Sequence, residues 1–276
     1  MASRTNALIR LPLGSKQVGS TIKYMVWRLL SGIVIKEPRF LKLVQDYDVV
    51  IMKHCYPASD VLEDTGRPDP SSLHQRLENY KAIYRLLRDK FDKHPDTLFI
   101  VWTLPPRHRL FEPPHGDKDA NAARATEFSN WLKKEFLTEG GGHPNIYIWD
   151  FREIMMDPNT NFLKYEYESS HNSSDSHPNK VANSNAGPQF ARFIVDSIAN
   201  FYGSSKVGQG AKIVFLHHST GLNVYKYPDP GVPAWFDKYN ATNGTSHLIS
   251  HNWYPSDGNM PVHYYRRWLA ETVVGD

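Results

Sequence analysis

The chain has 276 residues, 40% hydrophobic and 22% charged, with a formal net charge of +3. That is ordinary globular composition with enough length for a sizeable core, and so slight a charge, with no stripe of Lys and Arg interleaved with aromatics, argues against nucleic acid as a partner. One cysteine, Cys55, leaves no intrachain disulfide and no four-thiolate zinc site.

The residues from Met1 to Asn6 lack the uninterrupted apolar run of a secretory signal, which implies a cytoplasmic protein. The apolar segment 25–35 carries Arg28 and falls short of the ~20 residues that span a bilayer. It reads as a core or subsite element, and no membrane partner is expected. Residues 21–45 read as helical pieces broken at Gly32 and Pro38. Asp48 to Met52 is a short apolar run of strand type, leading into the polar loop Lys53-His54-Cys55-Tyr56-Pro57. Apolar steps of four and three from Leu73 to Phe91 predict an amphipathic helix over 72–93.

Thr97 to Trp102 is the next strand, followed by a loop that Pro105, Pro106, Pro113 and Pro114 keep irregular. A helix over 119–137 aligns Phe128, Leu132 and Phe136 and stops at Gly140. Asn145 to Asp150 is a third strand, and a loop rich in Ser, Asn, Asp and His runs from Ser169 to Asn179. The following helix aligns Phe190, Ile194, Ile198 and Phe201. The stretch 203–211 is small and flexible in composition, a linker. Ile213 to Leu216 is a buried-type strand that delivers His217-His218-Ser219-Thr220-Gly221, a polar turn. Trp235 and Phe236 sit in a helix, 247–250 is a short strand, and 261–274 is helical. Five strands alternating with helices of suitable length argue for βαβ units and a parallel sheet in one three-layer α/β domain over 1–276.

Ligands of open α/β sheets bind at the carboxyl ends of the strands, so Ser219 is a candidate nucleophile. A serine hydroxyl needs a base within hydrogen-bond reach, and the base needs a group to fix its tautomer. Ser174-Asp175-Ser176-His177-Pro178 offers both, since an Asp two residues before a His in a turn can bring its carboxylate to one ring nitrogen. His217 and His218 are adjacent on a strand and point to opposite faces, which disfavours a shared metal with His171 or His177. Cys55 reads as a small buried residue. Trp253, Tyr254 and Tyr225 are candidates for stacking a sugar or acyl group.

These blocks resemble the SGNH (GDSL-type) hydrolases, a superfamily with a flavodoxin-like sheet. The resemblance covers most of residues 40–270 in pieces. It implies that Ser219 is the nucleophile, His177 the base and Asp175 the acid, with no cofactor or metal. Phe215 to Gly221 looks like a subgroup in which His-Ser-Thr-Gly replaces Gly-Asp-Ser, and Lys53 to Pro57 like its matching post-strand block. The spacing here is Asp-x-His rather than the family's Asp-x-x-His. The family's Gly-x-Asn block has no asparagine after Met52, so Gly258 N–H and the Asn259 amide, with Ser219 N–H, are the oxyanion candidates, and His54 is a candidate for lining the cleft. The block order matches the family only when read from Lys212 to Asp276 and then from Met1 to Tyr202, which implies a circularly permuted fold joined through 203–211. The expected activity is hydrolysis of short-chain carboxylic esters, acetyl above all, on a small molecule or carbohydrate. An acyltransferase with the same triad and a non-catalytic glycan-binding relic are the other readings.

Overall fold

The structure is a computed structural model and describes residues 40–203, 206 and 209–270, all within the unit Glu37–Asp276. The segment 25–35 and the helical pieces expected before residue 40 lie outside the described residues. In chain order the elements are α1 (Phe40–Asp46), β1 (Val49–Met52), α2 (Leu77–Phe91), β2 (Leu98–Trp102), α3 (Lys118–Lys133), β3 (Ile146–Trp149), α4 (Phe151–Met155) and α5 (Lys180–Tyr202). Then come β4 (Lys212–His217), α6 (Ser219–Lys226), α7 (Gly231–Asn243), β5 (Leu248–Trp253) and α8 (Pro261–Tyr264), which runs on as a π-helical turn, Tyr265–Leu269.

The five strands form one sheet in the order β3-β2-β1-β4-β5, and every neighbouring pair is parallel. Alternation of side chains divides the core in two. Val50, Met52, Phe99, Val101, Val214 and Leu216 face α1, α2, α3 and the C-terminal helix. Val49, Ile51, Leu98, Ile100, Ile213 and Phe215 face α5, α6 and α7. Right-handed crossovers require this division. The chain steps outward from β1 to β3 with helices on one face, returns over the other face along α5, and continues to β5 on that second face. The direction reverses between β1 and β4, and a crevice opens at the carboxyl ends of strands that diverge in this way.

Numbered from Lys212 onward and then from the N-terminus, the same strand order becomes 2-1-3-4-5, the flavodoxin-like arrangement. Tyr202 Oη donates to the Asp48 carbonyl at 2.7 Å, and Lys212 N–H donates to the Asp48 carboxylate at 2.8 Å. The end of α5 and the start of β4 therefore meet at one residue.

Several elements differ from the sequence reading, among them helix α3, which ends at Lys133 rather than 137, and the three that follow. Helix α2 starts at Leu77 rather than 72, because Ser71 N–H is taken by Asp69 and His74 N–H by Ser72, and such local bonds compete with helix. Strand β5 extends to Trp253 because β4 pairs with it over six residues. The turn expected after His218 is a helix, α6. No helix among the described residues is long and apolar enough to cross a membrane.

Candidate active site

The register of β1 and β4 aligns Met52 with Leu216, so the residues that follow the two strands come out side by side at the reversal point. Ser219 is the first residue of α6, after His218 in extended conformation (φ −118°, ψ 179°). The N–H groups of a first helical turn have no intrahelical acceptor, so Ser219 N–H is not used by the helix ladder. Gly221 permits the tight strand-to-helix junction. A Cβ there would lie 2.6 Å from His217 Cβ and 2.8 Å from Lys53 Cδ.

His177 Nε2 lies 2.9 Å from Ser219 Oγ, and His177 Nδ1 lies 2.6 Å from Asp175 Oδ1. The same carboxylate oxygen accepts the backbone N–H of His177 at 3.0 Å. This Asx-type turn is how an Asp only two residues away reaches the ring. With Nδ1–H donated to the carboxylate, Nε2 keeps its lone pair and accepts from the Ser219 hydroxyl. Three residues predicted from sequence are thus brought into one chain of hydrogen bonds.

The loop carrying Asp175 and His177 is fixed from both sides. Asn179 caps α5 by accepting from Ala182 N–H at 3.0 Å, and its own N–H donates to the Tyr167 carbonyl at 2.9 Å. Ser176 Oγ accepts from the buried His108 N–H at 3.0 Å. Behind it, the buried Glu168 carboxylate pairs with His108 at 3.2 Å, Arg109 at 3.0 Å and His171 at 2.8 Å. Tyr56 packs edge to face on the His177 ring at 4.7 Å. Arg107 stacks over Tyr56 and Phe111 while its guanidinium is held by the Asp60 carboxylate.

The loop after β5 folds against the same strand ends. Its Pro255 carbonyl accepts from His218 Nε2 at 2.7 Å, and its Asn259 carbonyl lies 3.1 Å from His54 Nδ1. Gly258 lies so close to the His263 ring that a Cβ would come within 2.2 Å of it. The loop thus turns carbonyls toward the site histidines, and no hydrogen bond among those of the described residues joins the Asn259 amide to Ser219. His54 is only 1% exposed and packs edge to face on Tyr84 and Tyr264, so it lines the interior behind the loop. Tyr254 and Tyr225, expected as possible stacking residues, are buried in the two cores and present no ring face to a substrate. Trp253 is 37% exposed and packs on His218 at 4.6 Å.

Burial holds three histidines neutral: His54 is pushed down to about 3, His217 to about 3 and His218 to about 4. His217 and His218 do point apart, the first to His251 at 2.9 Å and the second to the β5 loop. No group of three or more His, Cys, Asp or Glu among the described residues is placed to hold a metal ion. A groove of about 750 Å³ lined by Arg109, Lys118, Asp157, Asn159, Phe162 and Tyr165 includes none of the triad residues.

Sequence reasoning missed Cys55 beside Ser219 and Tyr56 beside His177, and with them Lys53, whose charge acts on Cys55. The signal that finds Cys55 is the strand pairing, since extending the Met52–Leu216 register by three residues sets Cys55 opposite Ser219. No family model, curated protein or solved structure matches this chain, so the functional argument rests on the site itself.

Proposed function

We propose that the protein is a serine ester hydrolase of the SGNH type with a circularly permuted sheet. The observation that carries the reading is the ordered contact Ser219 Oγ–His177 Nε2 at 2.9 Å with His177 Nδ1–Asp175 Oδ1 at 2.6 Å, at the reversal point of a parallel sheet. In this reading Ser219 Oγ attacks an ester carbonyl as its proton passes to His177 Nε2. Asp175 stabilises the imidazolium and holds its tautomer. The tetrahedral oxyanion is met by Ser219 N–H, with Gly258 N–H and the Asn259 amide as the further candidates after movement of their loop. Each such donor is worth roughly 10²–10³ in rate. His177 then protonates the leaving alcohol, and water deacylates the serine by the reverse route.

Short acyl esters, acetyl above all, on small molecules or carbohydrates are the substrates we favour, with Trp253 as the aromatic surface nearest His218. The strand order read from Lys212 supports the permuted form of the fold. A cytoplasmic setting, where a free thiol stays reduced, suits the buried Cys55. The test is turnover of p-nitrophenyl acetate by wild type, Ser219→Ala and His177→Ala. Both variants should lose at least about 10³ in kcat. Near-wild-type turnover by either folded variant overturns the reading.

A further inference from the structure

Ser219 Oγ has a second partner. Cys55 Sγ lies 3.2 Å from it and 3.2 Å from Thr220 Oγ1. Cys55 is 1% exposed, so its sulfur sits beneath the two hydroxyls. On the same strand end, Lys53 is fully buried and its Nζ has no hydrogen-bond partner among the described residues. It lies 5.7 Å from the centre of the Trp102 ring.

Counting protons orders these contacts. Ser219 has one proton, which His177 Nε2 accepts. A further contact at Oγ must then be filled by a donor, and the Cys55 thiol is a weak one. Thr220 in turn donates its hydroxyl to Sγ. The result is a directional chain, Thr220 to Cys55 to Ser219 to His177 to Asp175. If the sulfur is ionised it can only accept, and it then competes with His177 for the Ser219 proton.

We propose that Cys55 is a positioning residue for Ser219. As a thiol it donates to Oγ and leaves the hydroxyl proton directed at His177; as a thiolate balanced by Lys53 it draws that proton away and idles the nucleophile. This rests on Ser219 being the nucleophile. The charge environment agrees with the geometry. Burial pushes the thiol up, but the Lys53 charge and the hydroxyls of Ser219 and Thr220 outweigh it and bring it below its ordinary value. Burial drives the Lys53 ammonium down to about 8, with Cys55 opposing that shift. The other groups facing the pair are His54 and Tyr56 on its own strand end, His217 and His218 from β4, and His177 with Asp175 from the loop before α5. The first, third and fourth are held neutral by burial, and Lys53 is the cation whose charge acts on the sulfur.

Because Cys55 is the chain's one cysteine among fifteen tyrosines, the ultraviolet absorbance titration minus that of the matching Cys55→Ala chain reports its thiolate alone. We expect thiolate to form at a lower pH than in an ordinary cysteine, and at a higher pH in Ser219→Ala, which removes a donor, and in Lys53→Met. We expect Cys55→Ala to lower kcat about tenfold at unchanged KM, the worth of one hydrogen bond at the upper end of its range. Cys55→Ser should recover most of that loss and abolish the alkaline limb of the rate profile that tracks the thiolate signal. An identical thiolate titration in Ser219→Ala and wild type overturns the proposal, as does a Cys55→Ala enzyme with wild-type kcat. The absorbance arm needs no turnover, so a wild type inactive on esters would refute the hydrolase reading while leaving the Cys55–Ser219 coupling decided by titration.

Discussion

Phe40 and Trp268 meet edge to face, their ring centroids 5.2 Å apart. Phe40 opens α1 and Trp268 lies in the turn that continues α8. Both pack with Phe91 on one face of the sheet. A right-handed connection from β5 back to β1 would run over this same face. A chain reordered to run from Lys212 to Asp276 and on from Met1 to Tyr202 should therefore fold to the same sheet and turn over p-nitrophenyl acetate. Circular dichroism melting with ester turnover tests it, and a non-cooperative melt of the reordered chain counts against the permuted reading.

Asp175→Asn should leave the fold intact and reduce kcat by roughly 10²- to 10⁴-fold. The amide oxygen can still accept the His177 backbone N–H. Its NH₂ group, if turned to Nδ1, forces the proton onto Nε2, which then cannot accept from Ser219. Melting and kcat measured together separate this tautomer effect from unfolding.

Acid should destabilise the protein from about pH 6.5 downward. His54, His217 and His218 are held neutral by burial, at about 3, 3 and 4, while an unfolded histidine takes up a proton near 6.5. The unfolded state then binds more protons, so stability falls with pH across that window. At pH 5 the linkage amounts to at most about 2 kcal/mol for each ring. Urea midpoints between pH 7.5 and 4.5 check it; a flat profile contradicts the neutral, buried assignment.

Gly221→Ala should cost about 1–3 kcal/mol through overpacking. The added methyl meets His217 Cβ and Lys53 Cδ at 2.6 and 2.8 Å, and relief requires α6 to move. Since Ser219 starts that helix, kcat should fall along with the melting temperature. A variant that loses stability at full kcat would show that the helix start has slack.

The strands were legible because buried parallel strands are short apolar runs, and Ile213 to Leu216 carries that pattern. Ser219, His177 and Asp175 were legible as residue types that need one another. Helix α6 was not, because Ser-Thr-Gly favours turns and the helix is held by burying Val224 and Tyr225, contacts that only tertiary packing supplies. Cys55 reads in the sequence as a small buried residue; nothing local in Lys53-His54-Cys55 tells which strand will lie beside it. Gly258 and Asn259 were legible only as candidates by resemblance; which backbone groups of their loop turn inward depends on His54 and His218.

The stretch 203–211 also separates the chemistry. His177 and Asp175 lie before it and Ser219 lies after it. Cut there, one fragment holds a base without a nucleophile and the other a nucleophile without a base. On the proposed esterase reading each would be silent alone, and ester turnover would become a readout of their reunion, so two proteins fused to the pieces would announce their own association by releasing a coloured alcohol.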